Sequence, residues 1–315
     1  MPSEVTIGVW HWVGFISGVL LMLALDLGLL HRRSREIHVR EAAAWTFLWV
    51  SLSMGFAVVL NGWMGSQAAG EFVTGYVVEL ALSMDNVFVI ALIFSYFGVP
   101  KHLQHRVLFW GILGAMLMRG GMIWIGVELV TRFHWVLYVL GAFLVFTGIK
   151  MLTGSDEKVE PEKNPCIRLA RKCFPVHDQF DGQRFLTRVG GALALTPLAL
   201  VLLMVETTDL VFAVDSIPAI FGVTQNPFVI FTSNIFAILG LRSLYFLLAG
   251  AMDYFSYLKY GLSLVLVFIG FKMLISFRYH LNTTLSLGIV AGILLFSVLA
   301  SLVFKSPSAG QGGKH

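Results

Sequence analysis

Nine windows of about 20 mostly apolar residues follow one another along the chain, at roughly 9–30, 44–62, 72–97, 107–127, 134–153, 190–222, 227–250, 257–276 and 283–304. Each has the length that crosses a bilayer as a helix. Hydrocarbon offers backbone amides no water, so such runs must close their hydrogen bonds internally, which open strands cannot do. The expected fold class is therefore all-α, a polytopic transmembrane bundle of about nine helices forming a single transmembrane domain over 1–315. Composition agrees, with 57% hydrophobic residues, 13% charged residues and a mean hydropathy of +0.81, outside the range of water-soluble domains. The first window follows Glu4 with no basic stretch before it, so it reads as a retained span rather than a cleaved signal peptide.

A net charge of +4 and a pI near 9.1 could suit nucleic acid, but the basic residues sit in short loops between apolar runs, where they set topology. No nucleic-acid partner is expected. Seventeen Lys and Arg fall in alternate connections at 31–43, 98–106, 150–189, 251–260 and the C-terminal tail, against Arg132, Lys272 and Arg278 on the other side. Positive charge stays cytoplasmic, so the N-terminus is expected outside and the C-terminus inside. The long 154–187 segment, with Pro161, Pro165 and Pro175, reads as a cytoplasmic connector whose basic stretch 167–174 has the alternative of lying on the membrane surface. The residues after 304 read as a flexible tail. Cys166 and Cys173, with His177 nearby, are too few for a disulfide framework or a four-cysteine zinc site.

The chain also repeats itself. Val145-Phe146-Thr147-Gly148-Ile149-Lys150-Met151-Leu152 returns as Val267-Phe268-Ile269-Gly270-Phe271-Lys272-Met273-Leu274, Ile112-Leu113-Gly114 as Ile238-Leu239-Gly240, and Asp85-Asn86-Val87-Phe88 as Asp209-Leu210-Val211-Phe212. The third to fifth spans (72–153) thus answer the sixth to eighth (190–276), and an odd number of crossings separates them, so the two triplets face opposite ways. Inverted repeats of this kind mark transporters, with substrate bound near the midplane between them.

Five carboxylates fall well inside two of the spans: Glu79 and Asp85 in one, Glu206, Asp209 and Asp215 in the other. An ionised group at a helix centre costs roughly 2.5–3.5 kcal/mol on insertion scales, so each needs a cation, a proton or a buried partner. Arg119 and Arg242 are the only basic residues at comparable depth, leaving a surplus of negative charge that a divalent ion and protons would meet in turn. Glu206 and Asp209 share a helix face while Asp215 lies about 180° from Glu206 on a straight helix, so a kink or unwound turn before Pro218 is expected to bring the three together. Asp85 and Asp209, equivalent by the repeat, are the leading ligand pair. The surrounding donors are oxygens, from Asn86, Ser83, Thr207, Thr208 and Ser216, with no thiolate or histidine at that depth, which favours Mn²⁺, Mg²⁺ or Ca²⁺ over softer metals. Met84 and Met204 read as core filler, Asn234 as an interhelical hydrogen bond, and Asp26 as a solvated residue near a helix end.

Leu82-Ser83-Met84-Asp85-Asn86-Val87-Phe88-Val89, the stretch Glu206 to Ile220 ending in Asp215-Ser216-Ile217-Pro218-Ala219-Ile220, and Ser233-Asn234-Ile235-Phe236-Ala237-Ile238-Leu239-Gly240-Leu241-Arg242 together resemble the TerC family of integral membrane proteins, and within it the bacterial Alx-type members. The resemblance spans roughly 10–300. It implies a multi-pass protein of the inner (plasma) membrane, manganese efflux, links to tellurite resistance and to alkaline pH, and a kinship with LysE-type transporters in their inverted three-helix repeats. Carried over residue by residue, it gives a metal-site role to Glu79, Asp85, Asn86, Glu206, Asp209 and Asp215. Mn²⁺ is then cargo, with no resident cofactor, and protons and membrane lipid are the other partners. An enzymatic aspartate dyad is disfavoured, since neither aspartate has a Gly-x-Gly-Asp context. The remaining alternative is a non-transporting membrane scaffold.

Overall fold

The computed structural model describes residues 7–30, 39–153, 164–177, 179–189, 192–248, 257–276 and 282–303. Its elements in chain order are α1 (Val9–Leu30), α2 (Val39–Met64), α3 (Ser66–Tyr96), α4 (Lys101–Arg132), α5 (Val136–Thr153), α6 (Pro165–Cys173), β1 (Leu186–Val189), β2 (Ala192–Leu195), α7 (Pro197–Phe221), α8 (Pro227–Leu248), α9 (Leu258–Ile275) and α10 (Thr283–Val303). The nine long helices follow the nine apolar windows, and eight of them are long and apolar enough to span a bilayer over the described residues. Trp10, Phe47, Trp124, Trp135 and Phe296, among other large apolar side chains, are exposed. In water such a girdle would drive aggregation; against lipid it is the ordinary outer surface of a bundle.

Burial ranks the helices. The most apolar stretch of α8 is 94% buried, against 22% for α2 and α5 and 17% for α10, so α8 is the central post and those three face lipid. Asn226 sets its start, accepting from the amides of Phe228 and Val229 beside Pro227, an N-cap with proline at the first helical position. Around α8 pack α2, α3 and α4, while α7 lies against α3 and α4, and α5 runs along α9.

The α5–α9 seam is reciprocal. A Cβ at Gly148 would lie 2.8 Å from the Ser263 carbonyl oxygen and 2.7 Å from the Val267 side chain, and one at Gly270 would lie 2.6 Å from the Gly141 oxygen and 2.9 Å from Val145. Offsetting by the sequence repeat turns the first set of partners into the second, and only glycine permits so close a helix approach at both places.

Two expectations fail locally. The window starting at 190 is not helical throughout: β1 and β2 pair antiparallel from Leu186–Leu195 to Val189–Ala192, and α7 begins only at Pro197, where proline lacks the amide a helix interior would need. The 154–187 segment is also more than a connector. Residues 154–163 lie outside those described, but Asn164 caps α6 by accepting from the amides of Cys166 and Ile167, and Ile167 is 1% exposed within the same apolar cluster as Val87, Leu198 and Met204. Phe185 anchors the segment to α4, with the Arg106 guanidinium 5.3 Å from its ring centre and Trp110 edge-on to it. The segment therefore covers one end of the bundle. Ile167→Asp is expected to detach α6, seen as tryptic cleavage at Arg168, Arg171 or Lys172 at least about tenfold faster than in the wild type, since buried apolar anchors of this size are worth more than the ~1.4 kcal/mol of a tenfold change. The tail after 304 lies outside the described residues.

Candidate functional site

A polar layer crosses the middle of the bundle between two apolar clusters. On one side Val87, Phe94, Leu103, Val201, Met204 and Leu241 pack together; on the other Val78, Ile123, Ala213, Ile217, Phe221 and Ile230 do so. Between them lie Glu79, Ser83 and Asn86 on α3, Arg119 on α4, and Glu206 and Asp209 on α7. Steps of three or four residues put Glu79, Ser83 and Asn86 on one face of α3, and Glu206 and Asp209 on one face of α7, so the spacing alone aims these groups inward.

Arg119 is the centre of the layer. It is 1% exposed; its Nε donates to Asp209 Oδ2 at 3.1 Å and its Nη2 to Asp209 Oδ1 at 2.7 Å, the two-pronged fit of a guanidinium to a carboxylate. Its remaining nitrogen, Nη1, is paired with Glu79. Asn86 Nδ2 reaches the same Asp209 Oδ1 at 3.4 Å. One arginine thus bridges α3 and α7 and spreads a single positive charge over two buried carboxylates.

Glu206 stands one helical turn from Asp209. A Cβ at Gly114 of α4 would fall onto its carboxylate, so that glycine makes the recess in which Glu206 sits, with Oε2 buried and without a hydrogen-bond partner. Ser83 Oγ, Asn86 Oδ1 and Ser216 Oγ are likewise buried without partners. Thr207 and Thr208 are not available in the same way, since both hydroxyls donate back to Met204 O and the first also to Leu203 O. Asn164, the cap of α6, donates to Thr207 Oγ1 at 2.8 Å, which ties the covering segment to the residue after Glu206.

The sequence candidates divide. Glu79 and Asp209 come together through Arg119 and Asn86 joins them at Asp209, with Glu206 a turn away. Asp85 and Asp215 are half-buried, and both have partners, but neither belongs to the arginine-bridged set. The expected unwound turn is absent, because α7 runs unbroken through Pro218 to Phe221; proline so close to a helix end costs one hydrogen bond without breaking the turns before it. At 100° per residue along this unbroken helix, Asp215 projects about 120° away from Asp209. Among the described residues no three His, Cys, Asp or Glu side chains stand as a group able to hold a metal ion, since Arg119 occupies the position between Glu79 and Asp209. The side chain of Asp26 lies outside the described residues. Two participants escaped sequence reading: Gly114, whose role exists only across a helix interface, and Asn164, whose Asn-Pro start was a visible helix-cap signal.

A model of the integral membrane protein TerC family matches residues 64–309, which takes in every residue of the layer. An uncharacterized membrane protein of Myxococcus xanthus is 49% identical over 292 residues, covering 93% of this chain and 92% of the relative. The putative membrane-bound redox modulator Alx of Escherichia coli K12 is 47% identical over 298 residues, covering 91% and 92%, and an uncharacterized membrane protein of Rickettsia felis is 37% identical over 295 residues, covering 94% and 98%. No solved structure matches.

Proposed function

This chain belongs to the TerC family of integral membrane proteins, and from that premise we propose that it exports a hard divalent cation, Mn²⁺ foremost, by alternating access through the buried carboxylate layer. The observation that carries the reading is Arg119, which bridges Glu79 and Asp209 in the middle of the membrane spans with apolar packing on either side. A buried ion pair is a poor stabilising device compared with apolar packing, and intramembrane ionisable groups mark ion paths. In this reading Arg119 is the cation of the empty carrier. An arriving Mn²⁺ competes with it for Asp209 and Glu79, with Glu206, Asn86 and Ser83 supplying further oxygens; on release outward, Arg119 closes on the carboxylates again and lets the empty site return. Asp85 and Asp215 stand as ligands or proton sites on the path to and from the layer, and proton return balances the charge.

The inverted-repeat organisation, 72–153 against 190–276, belongs to the same proposal. It is supported by the sequence repeat and by the exchange of equivalent partners at Gly148 and Gly270. With the N-terminus outside the inner membrane, the α6 segment and its Asn164–Thr207 contact lie on the cytoplasmic side, over the mouth by which the ion arrives. Tellurite resistance and the response to alkaline pH would be downstream of metal homeostasis.

A thiol-based role is the second reading, suggested by the name of the Alx relatives and by the exposure of Cys166 and Cys173. The two lie seven residues apart on one helix, roughly 10 Å by helical rise, beyond the span of a disulfide. Everted membrane vesicles separate the readings. The transport account expects saturable Mn²⁺ accumulation in vesicles carrying the wild type and an equal amount with Cys166→Ser/Cys173→Ser. Loss of accumulation in the double serine variant, or none in the wild type, contradicts it.

A further inference from the structure

Asn234 sits near the middle of α8 with 0% exposure, and neither its Oδ1 nor its Nδ2 has a hydrogen-bond partner. That overturns its reading as an interhelical hydrogen bond. Two neighbours on α8 fix where it points. Ser233 lies against Gly75 of α3, its Oγ 3.0 Å from where a Cβ would be, and Phe231 reaches to 3.3 Å of the equivalent position at Gly120 of α4. At about 100° per residue, the direction of Asn234 falls between those of Ser233 and Phe231, so it projects into the wedge between α3 and α4. Gly75 is one turn before Glu79 and Gly120 is next to Arg119, which sets Asn234 within about one helical turn of the Glu79–Arg119 pair.

A buried amide with both polar atoms unsatisfied is unfavourable in any folded protein and more so inside a membrane. Leucine would fill the same space without that cost, so packing alone does not explain an asparagine here. The same two helices, α3 and α4, are joined about a turn away by the Glu79 carboxylate and the Arg119 guanidinium, and on α3 the unpartnered Ser83 Oγ lies one turn beyond Glu79. Hard divalent ions take six or more oxygens and accept amide carbonyls alongside carboxylates. Glu79 and Asp209 alone offer too few, and adding only charged ligands would hold the ion too tightly for release.

We infer that Asn234 is a ligand residue of the cation site, its Oδ1 entering the coordination shell of a divalent ion bound at Glu79 when Arg119 yields that carboxylate. The inference rests on the transport reading and deepens it by adding a neutral oxygen from the central helix. The empty carrier tolerates the unsatisfied amide, and the loaded carrier uses it.

The test is thermal unfolding of the purified full chain in detergent, titrated with MnCl₂, for the wild type, Asn234→Leu and Asn234→Asp. A ligand role predicts that Asn234→Leu, without metal, melts at or above the wild-type midpoint, because an unpartnered amide has been removed. It also predicts that its half-maximal stabilisation needs at least about tenfold more MnCl₂, equivalent to ~1.4 kcal/mol of binding. Asn234→Asp, which keeps an oxygen and adds charge, should need no more MnCl₂ than the wild type. Equal MnCl₂ requirements for Asn234→Leu and the wild type overturn the inference while leaving transport intact, as does weakened binding by Asn234→Asp. A leucine variant that melts well below the wild type without metal also overturns it, by giving the amide a structural role. A wild type that MnCl₂ does not stabilise removes the transport reading and this inference with it.

Discussion

Arg119→Met sharply lowers the thermal stability of the metal-free protein, and Mn²⁺ restores much of the loss. Its guanidinium makes three contacts, two to Asp209 and one to Glu79, and methionine keeps the volume while removing the charge. Breaking a buried pair from one side typically costs about 3–5 kcal/mol, because the partner is left uncompensated; here two carboxylates are abandoned at once. Purified Arg119→Met should therefore melt far below the wild type without metal. If the carboxylates are a cation site for which arginine and ion compete, MnCl₂ should raise its midpoint by more than it raises that of the wild type, and at lower concentration. A drop with no metal rescue would make Arg119 a purely structural tie. Lysine is no conservative replacement, since a single ammonium cannot reproduce the fork that spans Asp209.

Asp209→Asn carries the largest functional effect. Asp209 accepts from Arg119 at both oxygens and from Asn86, so it is the carboxylate on which α3, α4 and α7 converge. The amide is nearly isosteric and accepts from Arg119 through one oxygen, while its NH₂ faces a donor; Arg119 keeps Glu79 as its counter-charge, so the charge is not left unpaired. The amide cannot exchange that arginine for a divalent ion on equal terms. Mn²⁺ flux per folded molecule is expected to fall at least about a hundredfold, roughly 2.7 kcal/mol of lost stabilisation, with a smaller loss of melting temperature than Arg119→Met, which abandons two carboxylates. Asp215→Asn, whose side chain projects about 120° from Asp209 on the unbroken α7, should lower flux far less. Equal losses in both would mean that the arginine-bridged geometry does not define the path.

Much of this was legible in the chain. Helix count and membrane class follow from apolar run length, because lipid leaves helices as the only solution for such segments. The depth of Glu79, Glu206 and Asp209, and their faces, follow from position and a fixed angular step. Arg119 was visible as one of two basic residues at the right depth, yet which acids it would pair with depends on how α4 leans between α3 and α7, and that is a packing result. For Asp215, Pro218 invited the idea of an unwound turn; a proline this near the end of α7 leaves the preceding turns whole. The repeat equates Asp85 with Asp209, but equivalence in sequence does not by itself say what each side chain touches; Asn86, one residue on, reaches Asp209 in the structure, a contact the repeat does not indicate. Ile167 falls in a segment that reads as a connector, because a nine-residue helix carries too weak a periodic signal. Its burial depends on Val87 and Met204, residues far away in the chain.

Reconstitution into liposomes addresses the central claim most directly. Wild type and Asp209→Asn are inserted at matched density, and Mn²⁺ movement is followed with and without a pH gradient, with Mg²⁺ and Ca²⁺ as competitors. The account predicts saturable Mn²⁺ flux in the wild type, driven further by an opposing proton gradient and absent in the variant. Wild-type liposomes that move no divalent ion, or a variant that transports as well as the wild type, would contradict it and leave the carboxylate layer as structure alone.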